Sequence, residues 1–245
     1  MNPFSAAATW LGDAGSWQGP NGIPLRITEH LEISLASLVL AAIVALPAGL
    51  YIGHSRRGVG LAVGVANVGR AVPSIALMGI LLPITQAVDP INGFFVYPTL
   101  LAMAILAVPP ILVNAYAGVA EVDADVVEAA RAMGLREGQI LRAVEVPLAL
   151  PVIIDGLRSA AVQVVATATL GAILGFGGLG RYIVDGIAQQ DDGMLYGGVA
   201  LVAILAVGSE ALLVLVQRFV ARRRGVEEPR EPVGAPPEAS AAPAS

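Results

Sequence analysis

Apolar residues dominate five stretches of the chain, each of them long enough to cross a membrane. They cover about 31–53, 59–84, 95–118, 147–176 and 194–217. A transmembrane helix needs about 20 predominantly apolar residues. Internal prolines such as Pro73 are tolerated because neighbouring membrane helices satisfy the backbone groups that a proline frees. The pattern predicts an all-α, polytopic membrane helix bundle of about five spans.

The longest polar interruption lies between the third and fourth spans and includes EAARAMGLREGQILRAVEVPLALP, residues 128–151. Asp125 and Glu128 have the spacing of a capping box, which predicts a helix with Asp125 as its N-cap. That helix runs to about Met133 and places Val126, Ala130 and Met133 on one face. Gly134 then stands where a left-handed C-cap is needed.

A second short helix is predicted from Arg136 to Val146. On it, Ile140 and Val144 face one way, whereas Arg142 and Glu145 remain in water. Pro147 limits its continuation because the residue before a proline is disfavoured in the helical conformation. The interruption is therefore predicted to be a pair of short helices joined at a glycine.

Composition sets the protein class and removes several kinds of chemistry. Hydrophobic residues make up 56% of the 245 residues and charged residues 13%, against about 25% charged in soluble domains. There is no cysteine, which excludes disulfides, thiolate metal sites and cysteine nucleophiles. All 14 basic residues are arginine, so the chain lacks the lysine that a P-loop requires. The only histidines, His30 and His54, are isolated in sequence and predict no metal site.

The arginines also predict the orientation in the membrane. Cytoplasmic loops carry an excess of basic residues, and arginines follow the first span, the third span and the fifth span. The opposite loops hold mostly aspartates. The rule predicts an external N-terminus, a cytoplasmic C-terminus and a cytoplasmic helix pair.

The two ends of the chain differ from the apolar stretches. Residues 1–28 have no basic residue before Arg26, so they do not have the basic start of a signal peptide. They form either an external or interfacial lead-in, with Trp10 and Trp17 at the headgroup level, or a loosely ordered tail. Residues 221–245 are rich in Pro, Ala and Glu and are predicted to be a disordered cytoplasmic tail.

The helix pair resembles the EAA motif of ATP-binding-cassette (ABC) importer permeases. The matching residues are Glu128, Ala129, Ala130, Gly134, Ile140, Leu141, Leu150 and Pro151. The resemblance implies a permease transmembrane domain over 29–220, with a coupling loop at 121–151 that docks on a cytoplasmic ATPase. It implies that the coupling residues are Glu128, Ala129, Ala130, Gly134 and Leu135.

Other segments indicate which substrate group of these permeases the chain resembles. Residues 69–76 resemble a second-span motif of importers for osmoprotectants and for methionine. Residues 114–119, 166–171, 177–183 and 185–187 resemble glycine betaine, carnitine and choline permeases. This implies a permease subunit of an ATP-driven importer for quaternary-amine osmoprotectants. The alternative is a permease for methionine or another small solute.

The resemblance also implies the partners. ATP and Mg²⁺ would be bound by the ATPase subunits, with no cofactor in this non-catalytic chain. A second permease, identical or related, and an external or periplasmic substrate-binding protein would complete the assembly in a bacterial inner membrane, and no nucleic acid is involved.

Five residues are candidates for the pathway or its gating: Arg70, Pro73, Ser74, Thr167 and Thr169. Intramembrane charges are functional candidates by default, yet Arg70 has an alternative role in pairing with Glu210. Asp155 and Arg158, three apart, are predicted to pair on one helix face. Threonines such as Thr167 are candidates for hydrogen bonds across helices, and the glycines near them for close backbone approach.

Two other classes of protein stay open at this point. A membrane-embedded enzyme needs a nucleophile and base or a set of metal ligands, and the chain offers few residues for either. An ion channel leaves the cytoplasmic helix pair without a role.

Overall fold

The computed structural model describes residues 2–223, without some side chains of the third and last helices. Within this range the regular structure is entirely helical. The helices are α1 (Pro3–Gly12), α2 (Ile23–Ser55), α3 (Val59–Ala71), α4 (Ser74–Val88), α5 (Asn92–Phe95), α6 (Tyr97–Ala120), α7 (Ala124–Ala132), α8 (Glu137–Ile140), α9 (Val146–Thr167), α10 (Gly180–Gln189) and α11 (Asp192–Arg223).

Helix α6 is the centre of the bundle and packs mainly against α2 and α9. Its buried positions are mostly small or medium-sized, such as Ala107 and Ala115. Glycines on the neighbours allow close approach: a Cβ added to Gly49 would lie 2.7 Å from the Cβ of Ala115, and one on Gly156 2.6 Å from the Cβ of Asn114. Lipid provides no hydrophobic driving force between helices. Close van der Waals packing, which small residues permit, contributes to helix association instead.

Among residues 2–223, three helical segments are both long and apolar enough to cross a membrane, namely Ile23–Ser55, Asn92–Ala120 and Asp192–Leu215. They correspond to the first, third and fifth predicted spans. The predicted helical membrane bundle is confirmed. The second and fourth spans are built differently from the prediction.

The second predicted span is two helices rather than one. Helix α3 ends at Ala71, and α4 begins at Ser74 after Pro73, whose φ of −62° and ψ of 130° are extended. A proline excludes its predecessor from the helical region, so the break falls at Val72. The prediction of a single helix over 59–84 was wrong.

The fourth predicted span is a helix followed by a tighter segment. Helix α9 ends at Thr167, and the chain continues as a 3₁₀ helix over Ala168–Leu174. Gly175, with φ of 85°, ends it in the left-handed conformation that glycine tolerates. The chain then enters α10 and turns into α11.

The N-terminal segment is a packed helix. Asn2 caps α1 through a 3.1 Å hydrogen bond from the Phe4 amide, and α1 lies against α11. The Trp10 ring meets Tyr182 edge-on with 4.9 Å between centroids. The loosely ordered alternative therefore does not apply to this segment. The predicted disordered tail, apart from residues 221–223 in α11, lies outside the described residues.

Candidate functional site

The first helix of the cytoplasmic pair, α7, begins earlier than predicted. Asp123 is its N-cap, and the Asp123 Oδ1 atom accepts a 2.9 Å hydrogen bond from the Asp125 amide. Asp125 is therefore the second residue of the helix, where its charge complements the helix dipole. The predicted capping box between Asp125 and Glu128 was wrong, since both residues lie inside the helix.

The C-terminus of α7 confirms the predicted glycine cap. Gly134 has φ of +86°. Its amide donates to the Arg131 carbonyl at 3.0 Å, and the Leu135 amide donates to the Ala130 carbonyl at 3.3 Å. These two bonds form a Schellman motif, which ends a helix with its last carbonyls satisfied.

A two-bond ion pair links the C-terminal turn of α7 to the start of α8. Arg131 donates from Nε to Glu137 Oε1 at 2.8 Å and from Nη2 to Glu137 Oε2 at 3.0 Å. Hydrogen bonding by Arg131 lowers the pKa of the Glu137 carboxyl, and the same bonds raise the pKa of Arg131. Bidentate geometry adds directional specificity that a single contact lacks.

The second predicted helix, from Arg136 to Val146, is not one α-helix. Helix α8 covers only Glu137–Ile140, and a π-helical turn over Leu141–Glu145 leads directly into α9. Pro147 is the second residue of α9, and the chain continues through it as a helix. The expected stop at Pro147 was therefore wrong, and the helix pair is continuous with a long helix.

The buried side chain of Glu145 is a feature that sequence reasoning missed. Only 4% of Glu145 is exposed, although it was expected in water. The Glu145 Oε2 atom lies 2.6 Å from Nδ1 of His54, and the His54 Nε2 atom lies 3.3 Å from Glu137 Oε2. Because His54 is 91 residues from Glu145, no local pattern signals this contact.

The outward surface of the helix pair is a mixture of small, apolar and acidic groups. Glu128 and Ala129 are exposed, and Met133 is 75% exposed. Ala130 is buried, whereas Val126 and Met133 on the same side of the helix are exposed. Of the predicted coupling residues, Glu128, Ala129 and Gly134 are on the surface, Leu135 is half-buried and Ala130 supports the helix from inside.

A cavity of about 740 Å³ lies beside this surface. Its lining is mainly apolar, and Leu135 and Leu141 contribute to it, with Arg136 and Arg142 at its wall. The helix pair therefore presents a projecting helix beside a recess with basic groups.

The predicted pathway residues are dispersed. Pro73 and Ser74 lie at the break between α3 and α4, and the Arg70 side chain, with its possible pairing to Glu210, lies outside the described residues. Thr167 and Thr169 donate to Gln163 and Ala166 carbonyls at 2.7 and 2.9 Å.

These threonine hydrogen bonds stay within the fourth span and do not cross between helices. The nearby glycines do permit close approach: a Cβ on Gly171 would lie 2.6 Å from Thr99 Cγ2. The predicted pair of Asp155 and Arg158 forms, with 3.2 Å between Oδ1 and Nη2.

Comparison with known families identifies a transporter domain. The sequence profile of the family described as "Binding-protein-dependent transport system inner membrane component" matches residues 35–226. The chain is 33% identical over 192 residues to the glycine betaine/carnitine/choline transport system permease protein OpuCB of Bacillus subtilis, covering 78% of this chain and 85% of that protein. It is 36% identical over 185 residues to the carnitine transport permease protein OpuCB of Listeria monocytogenes, covering 76% and 82%.

Solved structures share the fold. The inward-facing MetNI methionine ABC transporter matches with a TM-score of 0.71 at 23% identity, over 79% of this chain and 93% of that one. An amino acid ABC transporter with histidines matches with a TM-score of 0.59 at 18% identity, over 79% and 91%. The helical arrangement is therefore that of ABC importer permeases.

Proposed function

Because the chain belongs to the family of binding-protein-dependent transport system inner membrane components, we propose that it is the permease subunit of an ATP-driven importer for quaternary-amine osmoprotectants. Glycine betaine, carnitine and choline are the solutes in the names of its relatives. The methionine transporter resembles this chain in fold at 23% identity, a likeness that carries no argument about substrate. The sequence relatives therefore favour osmoprotectants over methionine.

The observation that supports the proposal is the ordered surface formed by α7 and α8, which we name the docking surface. The Schellman turn at Gly134 and the Arg131–Glu137 pair hold the two helices in one arrangement. Met133 and Ala129 are exposed on it, and methionine is enriched at contacts between proteins. A cytoplasmic ATPase fits this role, with Glu128, Ala129, Gly134 and Leu135 at the contact and Ala130 beneath it.

ATP chemistry belongs to that partner in this proposal. The chain contains no lysine, which a P-loop needs for the β- and γ-phosphates. ATP and Mg²⁺ are bound by the ATPase subunits, and the permease couples their movement to alternating access. A substrate-binding protein delivers the solute from outside, and a second permease completes the pathway.

The orientation follows from the arginines. With α7 and α8 in the cytoplasm, the N-terminus and the α10–α11 turn lie outside. The loop after α2, with Arg56 and Arg57, then lies on the cytoplasmic side, as the positive-inside rule requires. Pathway and gating roles for Arg70, Pro73, Ser74, Thr167 and Thr169 remain part of the proposal.

Co-purification tests the proposal directly. The wild-type chain, Gly134→Pro and Glu128→Arg are each purified in detergent from the native host, and bound proteins are identified by mass. Asp192→Arg is the matched control, because Asp192 is exposed at the α10–α11 turn, on the side of the bundle that the proposal places outside. We expect an ATPase with the wild type and control, and its loss in both docking variants.

The solute that stimulates ATP hydrolysis by the importer identifies the substrate. The assay measures hydrolysis by the whole importer with its binding protein, with and without glycine betaine, choline, carnitine or methionine. Stimulation by a quaternary amine supports the proposal, and stimulation by methionine alone overturns the substrate class. Retention of the ATPase by both docking variants would overturn the role of α7 and α8.

A further inference from the structure

One face of α9 is polar although it points away from the bundle. Asp155, Ser159 and Gln163 recur at intervals of four, which places them along one side of the helix. Ser159 and Gln163 are exposed, and Asp155 is 42% exposed. The opposite side of α9 is apolar and buried against α6 and α2, with Ile153, Ala160 and Val164 in contact.

The outward faces of other long helices are apolar instead. Helix α2 exposes Leu35 and Ile43, and helix α4 exposes Ile80. Such side chains suit contact with lipid tails. The outward face of α9 is therefore less suited to contact with lipid tails than the outward faces of these helices.

The charge on this face makes lipid contact costly. Arg158, 31% exposed, lies 3.2 Å from Asp155. At 1.5 Å per residue, Asp155 lies about 14 Å along α9 from Val146, and Gln163 about 26 Å. Charged side chains at such depth face a bundle interior or a water-filled cavity.

Helix α11 extends the polar surface. Its Gln217 donates from Nε2 to Asp155 Oδ1 at 3.0 Å. Glu210 lies two turns earlier on the same face of α11, seven residues from Gln217, and is exposed. Two helices thus contribute carboxylate, guanidinium, hydroxyl and amide groups to one side of the bundle, and we name these residues of α9 and α11 the polar face.

We propose that the polar face lines the solute pathway and that Asp155 and Arg158 bind the opposite charges of a zwitterion during passage. The Asp155 carboxylate faces the cationic end of the solute, and the Arg158 guanidinium its carboxylate. This inference rests on the proposed function for its choice of solute. The single contact between the two side chains leaves most guanidinium donors for a bidentate bond with a carboxylate.

The chemistry of the solutes gives the proposal a selective prediction. Glycine betaine carries both a trimethylammonium and a carboxylate, whereas choline carries the ammonium and a hydroxyl. Arg158 therefore matters for glycine betaine more than for choline, and Asp155 matters for both. A purely structural ion pair would affect the two solutes equally.

Accessibility is the first test. The chain has no cysteine, so Ser159→Cys and Gln163→Cys each introduce a single thiol, with Ile43→Cys on the apolar exposed face of α2 as the matched control. A charged, membrane-impermeant methanethiosulfonate is applied to the whole importer in inside-out vesicles, with and without ATP. We expect both polar-face thiols to react at least about tenfold faster than the control, since an apolar site disfavours the reactive thiolate.

Two results would overturn the pathway. One is a reaction rate at both polar-face positions equal to that of Ile43→Cys. The other is spontaneous cross-linking of Ser159→Cys between two copies with no reaction towards the reagent, which would make this side a dry contact between permeases.

Transport kinetics are the second test. Arg158→Gln is expected to raise KM for glycine betaine about tenfold and for choline less than about twofold, corresponding to loss of one charged contact. Asp155→Asn is expected to raise KM for both solutes by about tenfold. Equal effects of Arg158→Gln on both solutes, or changes in kcat alone, would contradict solute binding by the pair.

The proposed substrate and the proposed pathway along the polar face can be rejected independently of each other. If the wild-type importer moves none of the quaternary amines, the proposed substrate is wrong, while thiol reactivity still reports whether the polar face is wet. If the wild type transports glycine betaine and the polar-face thiols stay unreactive, only the pathway assignment is rejected.

Discussion

The imidazole of His54, near the end of α2, lies 2.6 Å from the carboxylate of Glu145 in the turn between α8 and α9. Glu137 approaches the other ring nitrogen at 3.3 Å, and Arg131 of α7 binds Glu137. A chain of polar contacts thereby connects a membrane-spanning helix with both helices of the docking pair. The helix pair is positioned by the bundle as well as by its own turn.

Removal of the imidazole is expected to destabilise the protein. His54→Ala leaves the buried Glu145 carboxylate without its partner, at a cost of about 1–3 kcal/mol. Thermal unfolding in detergent would show this as a lowered midpoint. Combining His54→Ala with Glu145→Gln should recover part of the loss, and a strictly additive double variant would argue against direct coupling.

The ion pair of Arg131 and Glu137, which clamps α7 to α8, is expected to weaken in acid. Arg131 lowers the pKa of Glu137 from its ordinary value of 4.5, so the clamp contributes fully above pH 4.5. This contribution is lost as pH falls through the lowered folded-state pKa. Spin labels on cysteines replacing Ala129 and Gly138 should give one narrow distance at neutral pH and a broader one in acid. Glu137→Gln should be broad at every pH, and an unchanged narrow distance in that variant would contradict the clamp.

The turn at Gly134 is expected to be sensitive to any side chain. No atom lies within 4 Å of a Cβ added there, so the cost of Gly134→Ala comes from its left-handed backbone, about 1–2 kcal/mol. Gly138→Ala is the control, since it also has open space but lies in α8 without a positive φ. A lower unfolding midpoint is expected for Gly134→Ala alone. Equal midpoints for the two variants would argue against the backbone explanation.

The contact between α2 and α6 is expected to reject added volume. A Cβ at Gly49 would lie 2.7 Å from both the Ala115 Cβ and the Leu112 carbonyl oxygen, so Gly49→Ala forces the helices apart. Such overpacking typically costs 1–3 kcal/mol, here about 2. Gly208→Ala, on α11 with nothing within 4 Å, is the control and should be neutral. Both are measured by thermal unfolding in detergent, and tolerance of Gly49→Ala would show that the contact can relax.

Local chemistry made part of this structure predictable. Gly134 ends α7 as its position after the helix pattern indicated, and Asp155 pairs with Arg158 as their spacing indicated. The N-cap was misplaced because Asp123 and Asp125 offer the same carboxylate two residues apart. The break at Pro73 also had a local signal, the restriction on Val72, which was outweighed by the tolerance of membrane helices for proline.

Other features depend on tertiary structure and had no sequence signal. His54 and Glu145 meet only because α2 and the turn before α9 end at the same side of the bundle. The polar residues of α9 recur every four positions in the sequence, but this spacing alone does not separate a solvent-facing side from a side that hydrogen-bonds to another helix. Only the packing shows that Ser159 and Gln163 point outward.

The π-helical turn over Leu141–Glu145 leaves no flexible linker between α8 and α9. A π turn keeps backbone hydrogen bonding through the junction while widening the helix. A movement of α7 and α8 is therefore expected to reach α9 without a hinge between them. Rotation of α9 would turn Asp155 and Gln163 together, so that in the proposed importer a movement at the helix pair would change which side chains face the solute.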